Sequence, residues 1–562
     1  MKKIKIMLAN LLWMMLCAKS WFAFKVACHR PEAVQKKLLL RIIRRNQKTD
    51  FGEKLRFSSI RSIADFQRRV PLAGYGAYEE WIEKISQGKK NVLTAEDVSI
   101  LEPTSGSTCA TKLIPFTESL KEEFLAGISP WIFDLLASDI KILAGTAYWS
   151  ITPTIRGNTK SSGGIPIGFK DDSEYFGKFE RYLIGSVLSV PKEVSEISEM
   201  DNFRYATLLF LLKDRDLAFI SVWNPTFLTI LFGRFDGWKE SLMKDIADGT
   251  ISFPEKVNAL VAKKLERNIR SDKKRALEIR SALGIEWQGE CDIFWPKLSV
   301  ISCWADGNSK HYLDEVKKIF PTVRIQSKGL LATEGVVSFP LMKERASALS
   351  LRSHFFEFIE QDISGEDGGC KMSHEIELGK TYAVIITTGG GLYRYRLGDL
   401  VTVVGFKQKC PLVSFQGRGG NVSDLFGEKL DERHISKVLS ETFRKFKLSP
   451  RFFMVAPERG RNGETGYTLF LEMDKPTGSE KASEMRRLAE EFEKGLCQNF
   501  HYEYCRKLGQ LSALRIFLVD SCGAESYLDA CCSFGQKLGD IKMMTLRKEF
   551  GWSAKFSGSF CE

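Results

Sequence analysis

The chain lacks most of the signatures that would give it a quick assignment. Its thirteen cysteines form no C-x-x-C pair, and none stands at zinc-site spacing from the six histidines. That excludes the common structural zinc modules. An odd number of cysteines scattered from Cys17 to Cys561 is no disulfide framework, and adjacent Cys531 and Cys532 do not bridge each other in ordinary backbone geometry. Free thiols in a reducing cytoplasm are the expectation. There is no low-complexity tract and no fixed-period repeat, which sets aside disordered and solenoid architectures. The Walker sequence G-x-x-x-x-G-K-[ST] is also missing.

Acidic residues are scarce at one end only. Residues 1–48 hold twelve Lys/Arg against one Glu, so nearly all of the net charge of +12 sits there. A nucleic-acid-reading domain would spread its charge over a folded face and add base-contacting motifs, so no nucleic acid is expected as a partner. The apolar run from Met7 to Ala18 contains Asn10 and is short for a bilayer. A signal peptide cleaved near Ala18 is one reading. The cationic helical pattern continues through "VQKKLLLRIIRRNQ", however, which favours amphipathic helices that stay attached. Such a helix over residues 1–30 either packs on the first domain or rests on an anionic membrane.

What is present is ordinary globular material: 562 residues, 44% hydrophobic and 27% charged. Helical patterns occupy residues 31–100, and "ESLKEEFLAGISPWIFDLLAS" continues them. "KILAGTAYWSIT", "KLSVISCWADG" and "TYAVIITTGGGLYRYRLGDLVTVVGF" read as strands, the last as two strands around a Gly-rich turn. Strands alternating with helices predict an α/β domain with at least one large mixed sheet. Glycines 417, 419, 420 and 427 mark a connector, with the boundary placed near 418–424 and a smaller α+β unit beyond it. The expected division is 1–30, 31–420 and 421–562.

Four motifs carry chemistry. "EPTSGSTCATKLIPFT" gathers Thr104, Ser105, Gly106, Ser107, Thr108, Thr111 and Lys112, donors and a cation suited to polyphosphate, although a plain Ser/Thr-rich loop has the same composition. "GLLATEGVV" sets Thr333 and Glu334 in an apolar run, as a solvent-facing acid or an oxygen ligand for Mg²⁺. "YRYRLGDLV" places Tyr395 and Asp399 at a strand-turn, where Asp399 either pairs with an arginine or accepts ribose hydroxyls. Arg418 stands at the domain break. Tyr148, Trp149, Trp223 and Phe227 are candidate walls of an apolar substrate pocket, with core packing as the alternative for each. His354 is read as structural, and Cys109 has no base partner at readable spacing.

The order of these motifs resembles that of adenylate-forming enzymes. The stretches "LLLRIIRRNQKTDFG", "PLAGYGAYEEWIEKISQGKKNVLT", "TSGSTCATKLIPFT", "SVWNPTFL", "WPKLSVISCWADG", "SKGLLATEGVVSFPL", "SHFFEFIE" and "GLYRYRLGDLVTVVG" resemble the auxin-responsive acyl-acid amido synthetases of the Gretchen Hagen type. The likeness is closest to bacterial members and runs from about residue 35 onward.

It implies a large adenylate-forming domain and a smaller mobile C-terminal domain. It also implies ATP and Mg²⁺ as cofactors, with a carboxylic acid and an amine, expected to be an amino acid, as substrates. By resemblance Ser105, Gly106, Ser107, Thr108 and Lys112 hold ATP phosphates, and Thr333 and Glu334 serve the nucleotide and metal site. Asp399 binds ribose beside Tyr395, and Arg418 reaches the nucleotide. Lys542, in "GQKLGDIKMM", is favoured over Lys537 as the adenylation lysine. The chain departs from the family in having Cys109 where glycine is usual, and Met543 and Met544 where proline closely follows the lysine. An acid–thiol ligase and a non-catalytic nucleotide- or acyl-binding protein at a membrane are the competing readings. A cytoplasmic monomer is expected.

Overall fold

Four short strands build a parallel sheet in the order Thr146–Trp149, Leu217–Ser221, Val300–Cys303, Arg324–Ser327. Each connection between them is long and carries helices, as parallel pairing requires. The computed structural model describes residues 2–104, 112–149, 160–169, 178–283, 290–307, 312–361, 367–419, 421–460, 463–473, 481–534, 536 and 541–561. Its chain divides into two units: Met1–Asp306 with Val316–Gln416, and Gly307–Glu315 with Gly417–Glu562. A piece from the middle of the sequence therefore groups with the C-terminal unit.

The register of the parallel sheet sorts its side chains. Trp149, Ser221, Ser302 and Gln326 are neighbours across the four strands, and so share one face. Against that face lies the helix Glu118–Ser138, whose Trp131 Nε1 donates to Gln326 Oε1 at 3.0 Å. Tyr148, Ile220, Ile301 and Ile325 share the opposite face. There Tyr148 stacks on Phe227 of the helix Pro225–Gly233, which starts at a Pro and is capped by Asn224 accepting from the Thr226 N–H at 3.0 Å.

The first unit also holds a seven-stranded sheet, in the order Asp367–Met372, Phe355–Gln361, Thr381–Thr387, Tyr395–Lys407, Cys410–Arg418, Ser347–Leu349, Ser338–Phe339. The glycine-rich turn between Thr387 and Tyr395 lets Thr381–Thr387 pair antiparallel with the strand that follows. Their register shifts at one place, where Leu397, Gly398 and Asp399 face Val384 alone. Gly398 supplies the left-handed conformation that such a bulge needs, at φ 85°.

The N-terminal helix is a single element, Lys2–His29, broken from Pro31–Arg45 at Pro31. One side is buried: Ile6, Trp13, Phe24 and Ala27 pack into the first unit, and Asn10 Nδ2 is turned to the carbonyls of Ile142, Leu143 and Gly145 at 3.0–3.3 Å. Those bonds let a polar residue sit inside a packed face. The other side exposes Ile4, Leu8, Leu12, Met15, Phe22 and Val26. The expectation of a run too short for a membrane is corrected here. Apolar residues resume after Lys19, and the helix Ile4–His29 is long and apolar enough to cross one by length and composition.

The C-terminal unit is a four-stranded sheet, Phe452–Arg459, Thr465–Glu472, Ser512–Val519, Gly558–Phe560, with helices including Glu432–Phe446 and Lys481–Leu496. Asn421 belongs firmly to it, donating to Glu432 Oε2 at 2.9 Å and to the Leu546 carbonyl at 3.0 Å. The connector thus precedes Asn421, at Gly417 with φ 128°.

Candidate active site

The hydroxyl-rich segment lies in sequence between two paired strands. Ile100–Pro103 pairs antiparallel with Leu113–Phe116, and the Thr104 N–H donates to the Lys112 carbonyl at 2.8 Å, closing the loop. Ser105, Gly106, Ser107, Thr108, Cys109 and Thr111 lie outside the described residues, as does Lys537. Thr104 and Lys112 are the described ends of that loop. The Lys112 ammonium stands 5.6 Å from the centre of the Tyr75 ring. Tyr75 Oη accepts from the Leu113 N–H at 2.8 Å, so the ring braces the root of the hairpin. Its hydroxyl is held protonated above the usual tyrosine range, chiefly by burial and further by the charges of Glu79 and Glu334.

Glu334 is near the same spot, because its partner Tyr395 is bridged to Ala73 in the segment that carries Tyr75. It is buried, at 4% exposure, and accepts from Tyr395 Oη at 3.3 Å. Thr333 beside it is half-buried. The turn that carries them is fixed from below by a buried chain of hydrogen bonds. The Val336 N–H donates to His354 Nε2 at 2.9 Å, and His354 Nδ1 is 2.9 Å from Glu123 Oε2. With Nε2 accepting, Nδ1 carries the hydrogen and donates to the carboxylate. Glu123 in turn accepts from the Gly389 N–H at 2.9 Å. Gly335 is required by this contact, because a Cβ there would meet His354 Nε2 at 2.4 Å.

Tyr395 is placed with equal care. The segment containing Tyr75 runs alongside it, with the Ala73 N–H donating to the Arg394 carbonyl at 3.1 Å and the Arg396 N–H to the Ala73 carbonyl at 2.8 Å. Arg394 holds φ 49°, a conformation unfavourable for arginine. Its buried guanidinium pairs with Glu357 at 3.0 Å and donates to the carbonyls of Gln67 and Val70 at 2.9 and 2.8 Å. Those contacts hold the backbone that aims Tyr395. Arg394–Glu357 is thus a buried arginine pair of this segment, and Arg396 is exposed. Asp399 is buried at the bulge, 3% exposed.

The predicted pocket walls do not form one surface. Tyr148 and Phe227 stack on the face opposite to Trp149, because successive strand residues point to opposite sides. Tyr148 is a core residue at 1% exposure. Trp149 stacks with Trp131 at 6.3 Å, and Trp223 joins that group through Lys328. In the second unit, Lys542 is exposed between buried Ile541 and Met543, and its carbonyl accepts from Tyr527 Oη at 2.9 Å. Arg418 ends its strand half-buried. Among the described residues no three His, Cys, Asp or Glu gather as a metal cluster.

Tyr75, Glu123 and Lys328 were not singled out from the sequence. Tyr75 lay in the quoted turn "LAGYGAYEE" and Lys328 directly after a strand in "SKGLLATEG", so both had a local signal. Glu123 had none, being one of several acids on a helix.

Three family models match consecutive stretches of the chain: the GH3 family N-terminal domain over residues 22–325, the central domain over 347–418 and the C-terminal domain over 433–549. The chain belongs to the GH3 family. An indole-3-acetic acid-amido synthetase of Arabidopsis thaliana, GH3.2, is 24% identical over 453 residues, covering 74% of this chain and 79% of that protein. A jasmonoyl-L-amino acid synthetase of Oryza sativa subsp. japonica, GH3.5, is 25% identical over 453 residues, covering 76% and 77%. The solved structure of the acyl acid amido synthetase AtGH3.15 in complex with 2,4-DB superimposes with a TM-score of 0.79 at 18% identity, over 96% of this chain and 95% of that one. The GH3 fold, with a larger N-terminal and a smaller C-terminal part, is therefore the fold of this chain.

Proposed function

We propose that this GH3 protein is an AMP-forming acyl-acid amido synthetase that activates a carboxylic acid with ATP and passes the acyl group to an amino acid. The observation that carries the reading is convergence: the hairpin root at Thr104 and Lys112, the Tyr75 ring, and the Glu334–Tyr395 pair come from four distant stretches to one place. In the first half-reaction a carboxylate oxygen attacks the α-phosphorus of ATP, and pyrophosphate leaves. In the second an amine nitrogen attacks the acyl carbon, and AMP leaves.

Each residue has a physical task in that scheme. Lys112 and the hydroxyl-rich loop offset phosphate charge, which must be neutralised before two anions can meet. Tyr395 holds Glu334 in orientation, and Asp399 accepts the ribose hydroxyls. A buried carboxylate is an oxygen ligand that fits a Mg²⁺ shared with phosphate oxygens, and Glu334 would hold it there. That cation supplies charge against the phosphate oxygens when bound. By the family's pattern Arg418 is the candidate nucleotide arginine and Lys542 the candidate adenylation lysine.

Acid-dependent ATP–pyrophosphate exchange tests the reading. Glu334→Gln is expected to lower exchange by about a hundredfold or more, the scale of one lost electrostatic stabiliser. Exchange unchanged in that variant would refute the assignment of Glu334. An amide product supports the synthetase, and a thioester with coenzyme A would move the chain to the acid–thiol ligases. We further propose a cytoplasmic location, with the outer face of Lys2–His29 as the surface that would meet a membrane.

A further inference from the structure

Within the C-terminal unit the scheme above uses the segment that carries Lys542. That segment reaches the sheet at Leu546, which bridges Val455. Val455 pairs with Leu469, and Leu469 with Ile516. Three strand spacings put Ile516, and Arg515 beside it, about 14 Å away across the sheet. The far side of the sheet holds polar atoms with no task in the ligase scheme.

Thr468 and Arg515 are partners on the parallel strands Thr465–Glu472 and Ser512–Val519, so their side chains share a face. Ser512 joins them there. Its Oγ lies 2.1 Å from where a Cβ on Gly466 would stand, and Gly466 is two residues from Thr468, on the same side of the strand. A side chain at Gly466 would displace that hydroxyl. The rest of the face is aromatic, with Phe470 against Phe517 at 5.4 Å and Phe517 against Phe560 at 5.1 Å.

The guanidinium carbon of Arg515 lies over the Phe560 ring, 4.6 Å from its centre. A ring against the flat of a guanidinium leaves the in-plane N–H groups to donate elsewhere. Here Nε and Nη2, the two nitrogens that grip a carboxylate side-on, are enclosed and have no acceptor among the described residues. The hydroxyls of Thr468 and Ser512 are enclosed and unmatched in the same way. Glu458 pairs with Gly466 and shares the face, but it is turned to Ser553, whose N–H and Oγ donate to it at 3.0 and 3.2 Å. Arg515 and Ser512 are each half-buried, which leaves a small anion a way in.

Packing does not explain this set. A methionine at 515 would cover Phe560 without enclosing donors, and a valine at 468 would fill the same space without a hydroxyl. Enclosed donors without acceptors cost free energy, the more so on a cation. Four donor groups, two of them on one positive charge, match an anion with two acceptor oxygens, because an ionised carboxylate offers about four lone-pair sites. A phosphate, with a third terminal oxygen, would ask for more donors than the face presents.

We infer that Arg515, Thr468 and Ser512 form a binding site for the carboxylate of a small organic acid on the C-terminal sheet, apart from the Lys542 segment. Nε and Nη2 take one edge of the carboxylate side-on, and the two hydroxyls donate to its remaining lone pairs. The site goes beyond the ligase reading and does not rest on it.

The Nε–H resonance of Arg515 in nitrogen-15-labelled full-length protein reads the site directly, and it is identified as the one that Arg515→Lys removes. Benzoate, benzamide and inorganic phosphate are the probes. Benzoate is expected to shift this resonance saturably, at concentrations about tenfold or more below those the other two require, the value of one charge-assisted hydrogen bond. Thr468→Val and Ser512→Ala should each raise the half-saturating benzoate concentration several-fold. Because the Thr468 hydroxyl is unmatched in the free protein, Thr468→Val should leave the ligand-free melting temperature unchanged or higher, which separates lost binding from lost folding. No shift with benzoate, an equal response to benzamide, or a half-saturation untouched in both hydroxyl variants overturns the proposal. Tighter binding of phosphate than of benzoate at this resonance overturns the assignment to a carboxylate.

Discussion

His354 shows how much one side chain can organise without touching a substrate. It joins the Glu334 turn to the long helix, through Val336 on one nitrogen and Glu123 on the other. Removing it leaves a buried carboxylate and a buried N–H short of a partner, which costs about 3–5 kcal/mol. His354→Ala is therefore expected to melt well below the unaltered protein. His354→Gln keeps one donor and one acceptor and should retain most of the stability. If the role is positioning, His354→Gln should need several-fold more Mg²⁺ for half-maximal exchange while the KM of the acid stays put. An unchanged Mg²⁺ requirement would reduce His354 to packing. None of this was visible in "SHFFEF", where a lone histidine beside phenylalanines reads as core.

Among the elements, the N-terminal helix is the clearest case of two faces with two different apolar tasks. Asn10 and Trp13 anchor the inner face, Trp13 lying 5.8 Å from Trp149. The outer face keeps Phe22 at 57% and Val26 at 63% exposure, beside lysines that no acidic residue of the helix offsets. Large exposed apolar stripes next to positive charge suit an anionic lipid surface. Sedimentation with vesicles of anionic phospholipid should be reduced in a Met15→Asp, Val26→Asp double variant, with the melting temperature little changed because both positions are exposed. Equal sedimentation of the two proteins would remove the membrane contact. A helix such as Met200–Lys213 illustrates the opposite limit: "YATLLFLLKD" is buried all round, so its sequence offered an apolar run with no period to tell helix from strand.

At the scale of the whole molecule, the division of the chain is not a single cut. Gly307–Glu315 belongs with the C-terminal unit, where Tyr312 is buried and stacks on Phe453 at 6.3 Å with the rings 9° from parallel. A chain ending at Gln416 would strip that ring of its cover. Such a truncation is expected to bind an apolar dye more strongly than the full chain, and Tyr312→Ser in the truncated background should reverse part of the gain. If truncation leaves dye binding unchanged, Tyr312 is not held by the C-terminal unit in solution.

Sequence alone was enough for the elements with a local cause: the strand-turn-strand of "TYAVIITTGGGLYRYRLGDLVTVVG", the helix of "ESLKEEFLAGISPWIFDLLAS", and the order of motifs that pointed to adenylate formation. Period, turn residues and motif spacing are short-range properties, so they survive in a string of letters. The pairings that define the site are not short-range. Glu123 meets His354 across 231 positions and Lys328 meets Ser221 across 107. Tyr148 and Trp149, adjacent in sequence, were assigned to one wall and stand on opposite faces of their sheet. Only the tertiary structure decides which face meets which helix, because that choice is made by packing between distant segments and leaves no local mark.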